Sequence, residues 1–312
     1  MILALAGGVG GAKLAAGLAR VLPPGELVVA VNTGDDFEHL GLHVSPDLDT
    51  VMYTLAGIAN QQTGWGQAGE TWSFMQALER LGGPAWFRLG DRDLATHVER
   101  SRRLAAGESL SQATRALCQR LGVPQSLVPM SDAPVRTMLH TDRGVLEFQH
   151  YFVRERCEPR VVRIEYAGSA GAAPSDEFAA ALRSPALRGV IVCPSNPYLS
   201  IAPILALAGV REALARCPRV LAVSPIIAGE AVKGPAAKLM REIGVRADAF
   251  EVARFYRGVV RMLVIDRADA ALAPAIDDLG VRAVPDDALM RDDAGRERLA
   301  RACLALLDGL RA

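Results

Sequence analysis

The sequence predicts an α/β fold, built on a doubly wound and mostly parallel β-sheet with a helical and β-hairpin insertion. Short, uniformly apolar runs recur at both ends of the 312-residue chain, as expected for strands buried on both faces. Helical patterns follow these runs at the spacing of βα units. Between about residues 60 and 185 the alternation stops. We therefore expect one domain over residues 1–312, with residues 60–185 as a subdomain that covers the sheet.

Composition and charge narrow the class of protein. Half of the residues are hydrophobic, and 35 Lys and Arg balance 35 Asp and Glu. A balanced charge gives no general attraction for nucleic acid or anionic membranes, so we expect neither as a partner. The five cysteines form no CxxC pair, which favours reduced thiols and a cytoplasmic protein. A homodimer is the default expectation for its oligomeric state.

The first predicted strand, Ile2–Ala6, runs into the glycine-rich segment GGVGGAKL and then into a helical pattern. Glycines at such a junction let backbone N–H groups approach an anion, and the helix N-terminus adds partial positive charge. A lysine ammonium adds a point charge. We therefore expect a nucleotide phosphate site at Gly8, Gly10, Gly11 and Lys13. The alternative is a tight turn, because the segment matches neither the P-loop nor the GxGxxG pattern.

The second predicted strand, residues 26–31, opens the densest polar stretch of the chain. Carboxylates on a loop beside a phosphate site are typical ligands of Mg²⁺. We therefore predict a magnesium site at Asp35, Asp36 and Asp49. Asp49 or Thr50 could instead simply cap the helix predicted from VMYTLAG. For Asp47 a metal role and a structural role are equally favoured.

The predicted insertion begins with three amphipathic helices, at about residues 71–82, 94–107 and 109–122, without intervening strands. A β-hairpin follows, turning at Asp142-Arg143-Gly144. The loop FRLGDRD before the second helix carries Arg88, which suits a ligand, while Asp93 suits a helix cap.

From about residue 188 the alternation of strands and helices resumes and ends in a terminal helix. Residues 189–210 carry no charge, but their prolines favour strand, loop and helix over a membrane span. In an open α/β sheet, ligands bind at the carboxyl ends of the strands. The loops after residues 6, 31, 193 and 224 should therefore border one crevice. Within the later two loops we expect nucleotide contacts from Ser195, Asn196 and Lys233, with Lys238 as a further phosphate candidate.

Seven segments occur in order from residue 7 to about 240: GGVGGAKL, NTGDD, PDLDTVMYTLAG, FRLGDRDLATH, PMSDAPVRT, PSNPYLSIAPI and SPIIAGEAVKGPAAKLM. Together they resemble the 2-phospho-L-lactate transferase (CofD-like) family of coenzyme F-420 biosynthesis. The resemblance implies transfer of a phosphorylated three-carbon acid from a GDP-linked donor to the ribityl hydroxyl of a deazaflavin precursor. GMP would be released, and Mg²⁺ would assist.

The resemblance also implies roles for individual residues. The acceptor-binding aspartate and arginine of the family fall on Asp49 and Arg88, and Asn32 and Thr33 of NTGDD join them as substrate-binding residues. The glycine loop and the Ser195-Asn196-Pro197 turn fall on the guanine-nucleotide side. As catalytic residues we expect Asp49, Asp35 and Lys13. The only tryptophans, Trp65, Trp72 and Trp86, suit an acceptor pocket or the packing of the insertion.

Two questions stay open at this point. The acid is phospholactate, phosphoenolpyruvate or 3-phosphoglycerate. The chain has only three lysines, at positions 13, 233 and 238, among its 35 basic residues, a bias that suggests a bacterial source and favours the phosphoenolpyruvyl donor. The alternative function is a non-catalytic metabolic regulator that binds sugar nucleotides on a similar core.

Overall fold

The computed structural model describes residues 1–232 and 234–310, so the predicted ligand Lys233 lies outside the described residues. The strands are β1 (Ile2–Ala6), β2 (Leu27–Val31), β3 (Phe37–His39), β4 (Leu42–Val44), β5 (Ser126–Pro129), β6 (Arg136–Thr141), β7 (Gly144–Glu147), β8 (Val161–Ala167), β9 (Gly189–Val192), β10 (Val220–Val223), β11 (Ile226–Ile227), β12 (Glu230–Ala231), β13 (Met262–Asp266) and β14 (Arg282–Asp286). The α-helices are α1 (Gly8–Val21), α2 (Pro46–Leu55), α3 (Ser73–Arg80), α4 (Asp91–Ala105), α5 (Leu110–Arg120), α6 (Asp176–Arg183), α7 (Ala202–Leu205), α8 (Val210–Arg216), α9 (Ala236–Glu242), α10 (Ala249–Tyr256), α11 (Ala273–Asp277) and α12 (Asp293–Asp308).

Seven strands form the main sheet, in the order β14-β13-β10-β9-β1-β2-β5, and every neighbouring pair is parallel. From β1 the chain winds outward through β2 to β5, then returns to β9 and winds the other way. The predicted doubly wound, Rossmann-like sheet is therefore confirmed. Its winding reverses between β1 and β9, and this is where such folds bind ligands.

The core lies on both faces of the sheet, which explains why the strands read as continuous apolar runs. All five residues of β1 are buried. Ile2, Ala4 and Ala6 pack with the apolar face of α1 and with α12 on one side. Leu3 and Leu5 pack on the other side with residues of α6, α8 and α10.

The region predicted as an insertion differs from expectation in one respect. Residues 126–129 form β5, the edge strand of the main sheet, so the chain does not simply lie over the sheet throughout residues 60–185. A run of four residues ending at Pro129 is too short to be told from a loop by periodicity. The predicted hairpin is confirmed as β6 and β7, and β8 adds a third antiparallel strand.

The uncharged stretch folds as predicted, into β9, a loop and helix. Among the described residues, no single helix is long and apolar enough to cross a membrane. Only Pro197–Leu205 and Val210–Arg216 together reach that length and composition, and they are bent by 90°.

Candidate active site

A cavity of about 660 Å³ opens at the carboxyl ends of the central strands. The loops after β1, β2, β9 and β10 all line it, so the predicted shared crevice is present. Helices α2 and α4, the segments 63–66, 86–88 and 148–156, and residues 288–290 also contribute to its lining. Segments that are far apart in the sequence thus line one cavity.

The glycine loop after β1 is locked against the loop after β9. The Ser195 hydroxyl accepts a hydrogen bond from the Gly7 N–H at 3.0 Å and donates one to the Gly7 carbonyl at 2.8 Å. A Cβ on Gly10 would collide with the Pro194 carbonyl, and one on Gly11 would collide with the Ser195 hydroxyl. These two glycines therefore allow close packing of two loops, and Gly11 does not line the cavity.

The nucleotide-side predictions divide accordingly. Gly8, Gly10 and Lys13 line the cavity, and the Lys13 ammonium donates to the Met290 carbonyl at 3.2 Å. The Ser195 hydroxyl is used by Gly7. Asn196 lines the cavity, but its side-chain oxygen accepts from the N–H groups of the next helical turn, so only its Nδ2 group remains for a ligand.

Lys238 lies elsewhere and does not line the cavity. Its ammonium donates to Glu242 at 2.5 Å and to the Tyr151 hydroxyl at 3.3 Å. A phosphate role for Lys238 is therefore not supported by its position.

Asp35 and Asp47, which we call the acidic pair, lie side by side on the cavity lining. The Asn32 amide donates to both carboxylates, at 3.3 and 2.9 Å, and the Asp47 N–H donates to Asp35 at 3.1 Å. Burial, then repulsion by Asp47, raises the pKa of Asp35 well above its usual range. Burial raises the pKa of Asp47 to about 6, although bonds from Asn32, Ser200 and the Gly8 backbone oppose the shift.

The other predicted residues of NTGDD lie beneath the cavity and do not line it. Asn32 is buried. Its amide nitrogen donates to the acidic pair, and its side-chain oxygen accepts from the Gly34 N–H at 2.8 Å. Thr33 is buried as well. Asp36 accepts from His43 and Ser45, each at 2.9 Å. Substrate contacts by Asn32 and Thr33 and metal ligation by Asp36 therefore lack the necessary position.

Asp49 lines the cavity but caps no helix, because α2 begins at Pro46 with Ser45 in the N-cap position. Both of its carboxylate oxygens accept from the Arg100 guanidinium, one of them at 3.0 Å. Both side chains are buried. Burial alone would lower the pKa of Arg100, but the Asp49 carboxylate outweighs it and raises that pKa. Asp49 is thus a fixed anion that already has its cation.

Three further side chains extend this ion pair into a buried network of Asp49, Arg100, His97, Asp93 and Tyr53. The two His97 nitrogens lie 3.6 Å from Asp49 and 3.3 Å from Asp93. The Tyr53 hydroxyl donates to Asp93 at 2.7 Å. Burial opposes ionisation of Asp93, but His97 and Tyr53 prevail and lower its pKa. Because α4 begins at Asp91 with Gly90 in the N-cap position, Asp93 lies within the first turn and does not cap the helix, contrary to expectation.

Aromatic rings form another part of the cavity lining. Trp65, Trp86 and Phe87, which we call the aromatic wall, all line it. Trp86 stacks on His150 with ring centroids 4.7 Å apart. The exposed Arg88 also lines the cavity, and its guanidinium lies 4.4 Å from the ring centroid of Trp72. Trp72 itself supports this side from outside the lining, 6.2 Å from Trp65.

The residues present fit a divalent cation at one place and not at another. In the acidic pair, two hard oxygen ligands lie together with raised pKa values, so a cation would relieve their repulsion. Asp49, Asp93 and His97 also lie close enough to hold a metal. There, however, the Arg100 guanidinium already supplies the positive charge. The predicted metal role fits Asp35, with Asp47 in place of Asp36 and Asp49.

Sequence reasoning missed most of the buried network. A usable signal existed, because Asp93, His97 and Arg100 recur at the i, i+4, i+7 spacing of one helical face. Polar residues at that spacing usually form the solvent-exposed face of an amphipathic helix, so the spacing marks these three residues as one group but does not predict their burial. Nothing comparable marks Gln149 and Arg156, which come from the segment after the hairpin.

A doubly wound sheet whose cavity combines a glycine loop, an acidic pair and an aromatic wall is the arrangement of an α/β protein that binds a small-molecule ligand at the carboxyl edge of its sheet. The family model described as "2-phospho-L-lactate transferase CofD" matches residues 2–290. The chain belongs to this family.

Individual relatives agree with this assignment. A phosphoenolpyruvate transferase from Kitasatospora aureofaciens is 43% identical, over 99% of this chain and 98% of its own. A 2-phospho-L-lactate transferase from Methanospirillum hungatei is 38% identical, over 98% of this chain and 100% of its own. A solved UPF0052-family structure from Bacillus halodurans has a TM-score of 0.63 at 13% identity, covering 97% of this chain and 98% of that one, and shares the fold.

Proposed function

We propose that this transferase moves a phosphorylated three-carbon acid from a GDP-linked donor to the ribityl hydroxyl of 7,8-didemethyl-8-hydroxy-5-deazariboflavin, in coenzyme F-420 biosynthesis. The observation that carries the proposal is one cavity that joins the glycine loop and the acidic pair to the aromatic wall. Family membership and the names of the relatives support the nature of the transferred group.

In the proposed step, the ribityl oxygen forms a bond to the phosphorus that carries the acid. The bond from that phosphorus to the oxygen it shares with the other phosphate breaks. GMP leaves with that oxygen, and the hydroxyl proton passes to solvent. Such a transfer needs neutralised phosphate oxygens and two reactants held in line.

On the donor side, Gly8, Gly10 and Lys13 would hold the diphosphate, with Asn196 beside the nucleoside. The helix N-terminus and the ammonium favour negative charge here. Asp35 and Asp47 would hold Mg²⁺, which supplies charge neutralisation on phosphate oxygens when bound.

On the acceptor side, Trp65 and Trp86 offer faces on which a deazaflavin ring can stack. Asp49 would accept a hydrogen bond from the acceptor, and Arg100 fixes that carboxylate in one orientation. Arg88, on the rim beside Trp72, would contact the acceptor from the open side.

For the acid we propose the phosphoenolpyruvyl group. The relatives named phosphoenolpyruvate transferase reach 43% identity, against 38% for those named 2-phospho-L-lactate transferase. The arginine-rich composition points the same way.

The test is transfer itself. The protein with Mg²⁺ and the deazaflavin acceptor is incubated with each of three GDP-linked donors, carrying phosphoenolpyruvate, phospholactate or 3-phosphoglycerate. Mass spectrometry of the deazaflavin product and chromatography of GMP measure the reaction. We expect both products with the phosphoenolpyruvyl donor, and calorimetry should favour GDP over ADP. Donor binding without turnover of any acid would overturn the proposal in favour of a regulator.

A further inference from the structure

One cavity-lining cation has no partner among the residues that the structure describes. Among the lining residues that the structure describes, the basic side chains are Lys13, Arg88, His97 and Arg156. The first three each have a contact described above. Within residues 1–232 and 234–310, Arg156 makes no hydrogen bond, ion pair or ring contact, and it is exposed.

The acidic neighbours of Arg156 do not neutralise it. Glu155 and Glu158 flank it in sequence, but their carboxylates lie 4.0 and 3.7 Å from the Arg143 guanidinium. Glu155 also lies 3.8 Å from Arg154. The positive charge of Arg156 is therefore available to a ligand in the cavity.

The backbone at this position is unfavourable for an arginine. Arg156 has φ 50° and Cys157 has φ 58°, both in the left-handed region. The turn is held after the helical segment His150–Arg154, where the Cys157 N–H donates to the Tyr151 carbonyl at 2.9 Å. Glycine adopts this conformation without steric cost, so an arginine here is less stable than the simplest alternative. Backbone strain of this kind concentrates at ligand sites.

The segment that carries Arg156 is fixed between the two halves of the cavity. The Gln149 amide donates to Asp35 of the acidic pair at 3.3 Å. The next residue, His150, stacks on Trp86 of the aromatic wall. Arg156 thus belongs to a segment that contacts both the acidic pair and the aromatic wall.

We infer that Arg156 binds the carboxylate of the three-carbon acid in the donor. This rests on the proposed function. In a phosphoenolpyruvyl donor, only one oxygen and one carbon separate the carboxylate from the reacting phosphorus, so both groups would be bound in the same part of the cavity. A guanidinium fork matches a carboxylate in two parallel hydrogen bonds. Lys13 and the glycine loop serve the diphosphate, which leaves the carboxylate to Arg156.

The experiment uses GDP, which lacks the acid, as the matched probe. Arg156→Gln and Arg156→Gly are compared with wild type and with Arg154→Gln, an exposed control that does not line the cavity. Steady-state kinetics give KM for donor and for acceptor, inhibition gives the affinity for GDP, and thermal unfolding gives Tm. The control should match wild type in all four.

Both Arg156 variants should raise the donor KM about ten- to a hundredfold, the size expected for a lost charged hydrogen bond. Affinity for GDP and KM for the acceptor should stay within about twofold of wild type. Arg156→Gly should also melt higher than wild type, because it relieves the left-handed backbone. If Arg156 had only a structural role, its replacement by glycine would not both raise Tm and raise the KM for the GDP-linked donor.

Two results would overturn the inference. An equal loss of GDP and donor affinity would place Arg156 at the diphosphate, and an unchanged donor KM would remove it from the site. In both cases wild type still transfers the acid. A wild-type protein that transfers none of the three acids overturns the proposed function instead.

Discussion

Asp47 and Asp49 lie two residues apart on α2, are both buried and both line the cavity, yet they are held in opposite ways. Asp49 is neutralised by the buried Arg100. Asp47 lies against Asp35 and raises the pKa of Asp35. The groups that lower the pKa of Asp47 are all neutral hydrogen-bond donors. A buried carboxylate with an internal cation stabilises one geometry, whereas one without such a cation lowers stability until a cation or a proton arrives. The first arrangement positions a group, and the second creates a binding site.

The largest effect expected from this difference is on stability. Arg100→Met leaves Asp49 buried without its guanidinium partner, so it should lower the free energy of unfolding by about 3–5 kcal/mol. Urea unfolding measures it. Arg102→Met on the same helix is the control, because Arg102 is 61% exposed and should change stability by less than about 1 kcal/mol. A loss for Arg100→Met as small as that of the control would mean that the pair contributes nothing.

Asp49→Asn separates positioning from capping. Since Asp49 does not cap α2, asparagine cannot preserve its role. The variant leaves Arg100 without its counter-charge and should lose about 2 kcal/mol of stability. Transfer should fall about 10²-fold if the carboxylate accepts a hydrogen bond from the acceptor. Normal kcat and KM for the acceptor in steady-state assays would exclude Asp49 from the acceptor site.

Asp47→Asn should act on stability in the opposite direction. A carboxyl whose pKa is raised to about 6 binds its proton more tightly in the folded protein than in the unfolded chain. Its destabilising effect is therefore absent below the unfolded pKa, grows as the pH rises toward 6 and is complete above it. The variant should be more stable than wild type at pH 8, by an amount on the order of 2 kcal/mol, and the difference should vanish near pH 4.

Urea unfolding of both proteins from pH 4 to 8 measures this difference, and adding Mg²⁺ at pH 8 should reduce it, because the cation stabilises only wild type. Asp47→Asn should also lose transfer activity. A variant that is less stable than wild type at pH 8 would contradict the comparison.

The smallest effect concerns Lys13, at the edge of the donor side. Lys13→Ala should raise the donor KM about tenfold, and Lys13→Arg should raise it less, since a positive charge near phosphate is the requirement. Lys238→Ala, outside the cavity, is the matched control for donor KM. Equal kinetics in the Lys13→Ala and Lys238→Ala proteins would remove Lys13 from the donor site.

The sheet was predictable because the burial of each central strand is visible in its own sequence. Runs such as ILALA and LVVAV are apolar at every position, and this pattern survives without tertiary information. β5 was missed because four residues ending at a proline carry too little pattern.

The sequence predicted where the site lies in the fold, but it predicted only some of the side chains that line it. Strand ends and the winding rule located the crevice. They did not tell Asp35 from Asp36, because which of two adjacent side chains faces a cavity depends on the β3–β4 hairpin that follows. The partnership of Asp49 with Arg100 is tertiary, since the two residues come from different helices.

The junction between β1 and β9 has a consequence for folding kinetics. Residues 2–5 pair in parallel with residues 189–192, so the floor of the cavity closes only after most of the chain has been brought together. Long-range parallel pairing of this kind is slow, because the entropy of loop closure is lost before the contacts form. A ligand that bridges the glycine loop and the Ser195 loop binds only the paired form and therefore stabilises it. A bound nucleotide would therefore stabilise the β1–β9 pairing. Hydrogen exchange of the Gly7 and Ser195 amides should be slower with the nucleotide than without it.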